Sequence, residues 1–217
     1  MSYSAVLFDL DGTLLNSLDD LADSMNIVLT SLDFPIHPVD AYRYFVGNGI
    51  PTLVRRCLPK SALTNEPLVL EAEKLMRAEY ARRINNKTCL YDGIPEMLDE
   101  LQQRGVRMAI LSNKPHDAVL GVVKHYFSPW RFEAAYGDRQ GIPTKPDPES
   151  ALQIARQMGL LPSSYLYLGD TNTDMRTAVA AGMYPVGVTW GFRTAEELRE
   201  GGARVLIDKP SELMGLL

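Results

Sequence analysis

Short apolar runs alternate with amphipathic stretches along most of this chain. Ala5–Phe8 is apolar throughout and ends at Asp9. Residues 106–111 and 165–168 are similar runs that end at Ser112 and at Gly169-Asp170. Residues 184–189 form a fourth run and 134–136 a weaker fifth. Runs of this length, without strict alternation, predict strands buried on both faces, the pattern of a parallel sheet. Between them the apolar spacing is helical. Ile94, Met97, Leu98 and Leu101 follow one helix face, and Gly105 supplies a stop. Residues 147–158 and 172–182 read as two further helices, closed by Gly159 and Gly182. Strands alternating with helices predict an α/β fold, a Rossmann-like parallel sheet covered on both faces.

One stretch breaks the alternation. Residues 17–85 read as several helices with no clear strand, including a long helix over 66–84 that presents Leu68, Ala72, Leu75 and Met76. Such a length of helix between the first two strands is no simple crossover. The expected organisation is a core domain, 1–16 plus 86–217, interrupted by a helical insertion, 17–85.

Composition adds mostly exclusions. At 217 residues, 46% of them hydrophobic and 23% charged, the chain has enough apolar material for a core without staples. A formal net charge of −5 and the lack of a long Lys/Arg run argue against a nucleic-acid partner. Cys57 and Cys89 form no CxxC motif and are expected as reduced thiols. The N-terminal segment lacks the pattern of a secretion signal, and no apolar stretch is long enough to span a membrane. A cytoplasmic protein, monomeric or homodimeric and without a membrane partner, is the expectation.

The chemistry collects where the predicted strands end. Parallel sheets bind ligands at the carboxyl ends of their strands. The first strand runs into Asp9-Leu10-Asp11-Gly12-Thr13, the second into Ser112-Asn113-Lys114, and a later one into Gly169-Asp170-Thr171-Asn172-Thr173-Asp174. Lys145-Pro146-Asp147-Pro148 lies in a loop between the last two. Carboxylates, a hydroxyl and a lysine at one rim make a site. Asp11-Gly12 could form a hairpin turn, but a helical pattern follows it. Asp170–Asp174 begins like a calcium loop, yet Met175 stands where that loop needs Gly and Ala181 where it needs Glu. Ser112-Asn113 is read as the start of a helix, with free N–H groups for an anion and Pro115 in the first turn.

In order and spacing, these segments resemble the motifs of the haloacid dehalogenase superfamily of phosphohydrolases. The likeness covers the whole chain, the insertion corresponding to that family's helical cap. It is strongest to bacterial members that hydrolyse 2-phosphoglycolate, through Val46-Gly47-Asn48-Gly49, Ser112-Asn113-Lys114-Pro115 and Trp190-Gly191-Phe192-Arg193. The resemblance implies a small phosphomonoester as substrate and Asp9 as the nucleophile that forms an aspartyl-phosphate. Asp11 would be the acid/base, for which it must carry a proton near neutral pH, helped by burial and nearby negative charge. Thr13, Ser112 and Lys145 would complete the catalytic set. Ser112, Asn113, Lys145, Gly47 and Asn48 would bind substrate. Mg²⁺ would be held by Asp9, the Asp11 carbonyl and Asp170, with Asp174 orienting its surroundings.

Other activities remain open at this level. Phosphatases of sugar phosphates, nucleotides or pyrophosphate share every core motif, and sugar phosphomutases keep both aspartates. A dehalogenase has no use for Asp11. A phospho-accepting signalling module also combines a carboxylate, Mg²⁺ and a lysine, but lacks a helical insertion. His37, His116 and His125 show no ligand spacing, Arg55-Arg56 reads as a solvated pair, and Trp190 and Phe192 read as packing.

Overall fold

The computed structural model describes residues 3–217, which divide into two compact units. One comprises the stretch up to Asn16 together with Leu90–Leu217, and the other is Ser17–Cys89. The first unit is built on a parallel six-stranded sheet of β1 (Ala5–Phe8), β4 (Arg107–Pro115), β5 (Phe132–Asp138), β6 (Tyr165–Gly169), β7 (Tyr184–Val188) and β8 (Val205–Ile207). Two short strands, β2 (Leu15–Asn16) and β3 (Cys89–Leu90), lie where the chain passes from one unit to the other. The Tyr91 N–H donates to the Leu14 carbonyl, so the outgoing and returning segments run side by side.

The strand order of the sheet is β5-β4-β1-β6-β7-β8. The chain therefore winds outward from β1 in one direction and then, starting at β6, in the other. Such a reversal opens a crevice at the carboxyl ends of the central strands. The register makes those ends level: Phe8 lies opposite both Ile110 and Leu168. Asp9 and Asp170 thus leave the sheet at one rim, level with Leu111 and Ser112 of β4.

Burial follows the expected logic. All four β1 residues are fully buried. Ala5 and Leu7 point into a cluster with Ala109, Tyr165 and Tyr167 of the sheet, against Ala151, Ile154 and Ala155 of α7 (Glu149–Met158) and Ala178 of α8 (Asn172–Ala181). The alanines let these helices approach the sheet closely. Gly159 and Gly182 end α7 and α8 in the left-handed conformation, as their positions predict. On α5 (Ile94–Gln103) the buried residues are Ile94, Met97, Leu98 and Leu101.

In this unit two features differ from the sequence reading. β4 runs on through Pro115, and the next helix, α6, starts only at His116 (His116–Tyr126). Ser112 and Asn113 therefore sit in extended chain and do not begin a helix. β8 escapes the reading because three residues are too few to show a period.

The second unit contains α1 (Leu18–Ser31), α2 (Tyr42–Phe45), α3 (Gly49–Cys57) and α4 (Glu66–Arg83), with short 3₁₀ turns between them. The buried face of α4 is Val69, Ala72, Met76 and Tyr80. Leu68 and Leu75, expected on that face, are only half-buried, because the helix is rotated to place Tyr80 inside. Cys57 is a buried free thiol, pushed up to about 12 by burial, and Cys89 is exposed and free.

A buried carboxylate ties the two ends of this unit together. Asp20, in the first turn of α1, accepts from the Lys87 N–H (3.0 Å), the Thr88 N–H (2.9 Å) and the Thr88 hydroxyl (2.7 Å). Removing a buried acceptor strands its donors. Asp20→Ala should lower the unfolding free energy by about 2–4 kcal/mol in urea titrations; a change under about 0.5 kcal/mol would show that the contact carries no weight.

Candidate active site

The rim is assembled from the turn after β1 outward. The Asp9 N–H donates to the Leu168 carbonyl (2.9 Å), extending the β1–β6 pairing by one residue. The chain then folds back: the Leu14 and Leu15 N–H groups both donate to the Leu10 carbonyl, at 3.0 and 2.9 Å. Gly12 sits in that turn at φ 96°, and a Cβ there would lie 2.2 Å from an Asp170 carboxylate oxygen. Only glycine allows this conformation and this approach. The turn presents Asp9 and Asp11 differently. Asp9 is buried, while the Asp11 side chain is 18% exposed.

Lys145 joins the strands chemically. Its ammonium donates to Asp9 Oδ1 (2.6 Å), Asp174 Oδ1 (2.6 Å) and the Leu111 carbonyl (3.2 Å). Its backbone is gripped by the Asn113 side chain, which accepts from the Lys145 N–H (2.9 Å) and donates to the Lys145 carbonyl (3.1 Å). Asn113 was expected to offer a backbone amide to phosphate; the observed contact is a side-chain clamp on the lysine. The Ser112 hydroxyl oxygen accepts from the Lys114 N–H (3.2 Å).

The remaining acids are equally fixed. Asp170 accepts from the Phe192 N–H (2.8 Å) and, at 3.4 Å, from the Thr13 hydroxyl. Asp174 closes a capping box at the start of α8, with its Oδ2 accepting from the Thr171 hydroxyl (2.6 Å) and N–H (3.1 Å). Asp9, Asp170 and Asp174 each offer a carboxylate oxygen, and these lie within 4.8 Å of one another. Three buried carboxylates against one ammonium leave an excess of negative charge. The donors are hard oxygens, the type that suits a divalent ion such as Mg²⁺. The donor set therefore fits such a cation.

The charge balance shows in the titration of these groups. Burial, and next the Asp174 carboxylate, push Asp9 from its ordinary 3.8 up to about 7, against the pull of Lys145. Burial and the Asp9 and Asp174 charges likewise hold Asp170 well above the carboxylate range. Burial opposes charge on Lys145, but Asp174 and Asp9 more than offset it and keep the ammonium charged. Asp11 lies in different surroundings from those expected. Its nearest charged partner is the Lys114 ammonium, at 2.7 and 3.0 Å from its two oxygens.

Several contributors were not assigned roles from sequence. Lys114 was part of a quoted motif without a function. Trp190 and Phe192, read as packing, also bond into the rim: the Trp190 indole donates to the Thr13 carbonyl (2.9 Å), and the Phe192 amide holds Asp170. A Cβ on Gly191 would come within 2.2 Å of Asp170 Cβ. The motif Trp190-Gly191-Phe192-Arg193 was the available signal. Gly47 and Asn48 belong to the other unit, with Gly47 at φ 106° and Asn48 preceding α3. Arg56 is no simple solvated residue: it donates to the Tyr44 and Phe45 carbonyls (3.0 and 3.2 Å) and to Asn48 Oδ1 (3.0 Å). Arg55 pairs with Glu66.

Comparison with known proteins places the chain in one family. A family model for haloacid dehalogenase-like hydrolases matches residues 6–188. A phosphoglycolate phosphatase of Pseudomonas savastanoi pv. phaseolicola is 34% identical over 213 residues, 96% of this chain and 78% of that protein. One from Haemophilus influenzae (strain ATCC 51907 / DSM 11121 / KW20 / Rd) is 30% identical over 220 residues, 99% and 98% of the two chains. A crystal structure from Lactobacillus delbrueckii subsp. bulgaricus superposes with a TM-score of 0.92 at 28% identity, covering 100% of this chain and 98% of that one. Among the described residues no helix is long and apolar enough to cross a membrane.

The acid cluster makes a linked prediction. With Asp9 raised, the metal-free folded protein holds a proton that the unfolded chain has lost. That stability is complete below the ordinary carboxylate range and disappears as pH rises through about 7. A divalent cation competes with such protons. The rise in melting temperature on adding Mg²⁺ should therefore be larger near about pH 8 than near about pH 5, and a chelator should abolish it. Equal shifts at both pH values would place the ion elsewhere.

Proposed function

Because the chain belongs to the haloacid dehalogenase-like hydrolase family, we propose that it cleaves 2-phosphoglycolate to glycolate and phosphate through an aspartyl-phosphate on Asp9. It is a phosphoric monoester hydrolase. The observation that carries the mechanism is the meeting of Asp9, Lys145, Asp170 and Asp174 at one sheet rim, with Asp11 two residues beyond Asp9. The substrate is supported by the relatives named phosphoglycolate phosphatase at 30–34% identity.

In the first step an Asp9 carboxylate oxygen attacks phosphorus and the bond to the leaving oxygen breaks. The Asp11 carboxyl gives its proton to that oxygen, releasing an alcohol. In the second step water attacks the phosphorus of the acyl phosphate and passes a proton to the Asp11 carboxylate. The bond to Asp9 breaks and phosphate leaves, restoring both residues. Lys145 offsets the repulsion between Asp9 and the incoming dianion and keeps the nucleophile oriented. Ser112 and Asn113 are assigned to the phosphoryl group, Asn113 also acting through its clamp on Lys145. Thr13 steadies Asp170. Mg²⁺, when bound, supplies positive charge that draws electron density from the phosphoryl oxygens; Asp9, the Asp11 carbonyl and Asp170 would hold it, with Asp174 fixed beside them. Substrate choice is assigned to Gly47 and Asn48, whose loop Arg56 ties down.

A panel of 2-phosphoglycolate, glucose 6-phosphate, a nucleoside monophosphate and pyrophosphate, assayed with Mg²⁺ and with a chelator, tests the substrate. The highest kcat/KM is expected for 2-phosphoglycolate, and a preference of about tenfold for another ester would replace it. Asp9→Asn should reduce turnover to background while the melting temperature is kept. A single-turnover acid quench with radiolabelled substrate should leave label on the wild-type chain and none on Asp9→Asn. Activity retained in that variant would remove Asp9 from its role.

A further inference from the structure

Two lysines serve three aspartates at this rim, and only Lys145 has a part in the mechanism above. Lys145 binds Asp9 and Asp174. Lys114 is equally enclosed, its side chain 3% exposed, and its ammonium reaches both oxygens of Asp11, at 2.7 and 3.0 Å. We propose that Lys114 is a positioning residue that holds the Asp11 carboxyl at the leaving oxygen. The inference rests on the reading of Asp11 as the acid.

The seat of Lys114 is built into the sheet. β4 continues through Pro115, carrying Lys114 past the end of β1, and its pairing with β5 becomes irregular between Leu111 and Pro115. The Lys114 N–H donates to the Ser112 hydroxyl oxygen. On the β5 side Gly137 passes so close that a Cβ would lie 2.4 Å from the Lys114 carbonyl and 2.7 Å from His116 Cα. The Gly137 N–H donates to His116 Nδ1 (3.2 Å), which fixes the chain just beyond the lysine. This crowding leaves the Lys114 backbone little room to move. Asp11, by contrast, stands in the turn after β1, bridged to Leu15. An ammonium in contact with both oxygens sets the position and the plane of that carboxyl. Displacing a reacting group by about 1 Å can cost on the order of 100-fold in rate.

The alternatives are a lysine that binds the phosphoryl group directly and an ion pair that only stabilises the fold. The leaving group separates them. An alkoxide needs a proton in order to depart, and p-nitrophenolate does not. Lys114→Met should lower kcat/KM on 2-phosphoglycolate, which reports the steps up to departure of the leaving group, about 100-fold, and the loss of kcat/KM on p-nitrophenyl phosphate should be at least about tenfold smaller. Lys114→Arg should show the same dependence on leaving group in milder form, and it decides the matter should Lys114→Met fail to fold by circular dichroism. An equal loss of kcat/KM on both esters, or no loss, would overturn the proposal. Asp11→Asn is the parallel arm. If it also lacks the dependence on leaving group, the acid assignment itself falls; if it shows that dependence and the Lys114 variants do not, only the role of Lys114 falls.

Discussion

The rim depends on one buried ammonium. Lys145 has three N–H donors and finds three acceptors, on Asp9, Asp174 and the Leu111 carbonyl. Taking charges out of water costs several kcal/mol per ion, and only good geometry with every donor satisfied offsets it. Here the offset is incomplete by construction, since one ammonium faces three carboxylates. Burial first, and next the neighbouring carboxylate charges, hold Asp9 and Asp170 above their usual titration range. The protein stores an electrostatic demand at the place where it can use a cation and a phosphoryl group. The reactive carboxylate is thus held ready by a strained charge balance.

That balance is possible because of topology. The reversal of winding at β1 and β6 puts two strand ends side by side where the connections run apart in opposite directions. The level register then delivers Asp9 and Asp170 to the same height. Side chains from residues 9, 145, 170 and 174 meet because the sheet brings their backbones together, and the last three are each also held by an uncharged partner. Asn113 grips Lys145, the Phe192 amide holds Asp170, and Thr171 holds Asp174. Glycines at 12 and 191 are the spaces into which Asp170 fits.

The two aspartates of the first turn live under different rules. Asp9 is buried among acids with a single cation shared between them. Asp11 is partly open and paired with a lysine of its own. A nucleophile and an acid/base need different environments, and these two residues receive them from different lysines. The sequence reading placed Asp11 among negative charges. The extension of β4 carries Lys114 to it instead, and that extension is set by how β4 and β5 pair.

The α/β alternation, the helical insertion, the helix stops at Gly159 and Gly182 and the set of acids at strand ends were all legible in the residues themselves. They follow from local causes: apolar runs need burial on both faces, and glycine is the residue that ends a helix in the left-handed conformation. Tertiary structure alone decided which partners these residues received. That the Asn113 side chain would clamp Lys145, that Trp190 and Phe192 would bond to the first turn and to Asp170, and that α4 would bury Val69 and Tyr80 in place of Leu68 and Leu75 depend on contacts between segments far apart in the chain. Period and propensity act over a few residues. Register, helix rotation and hydrogen-bond pairing across the sheet are settled only when the whole core packs.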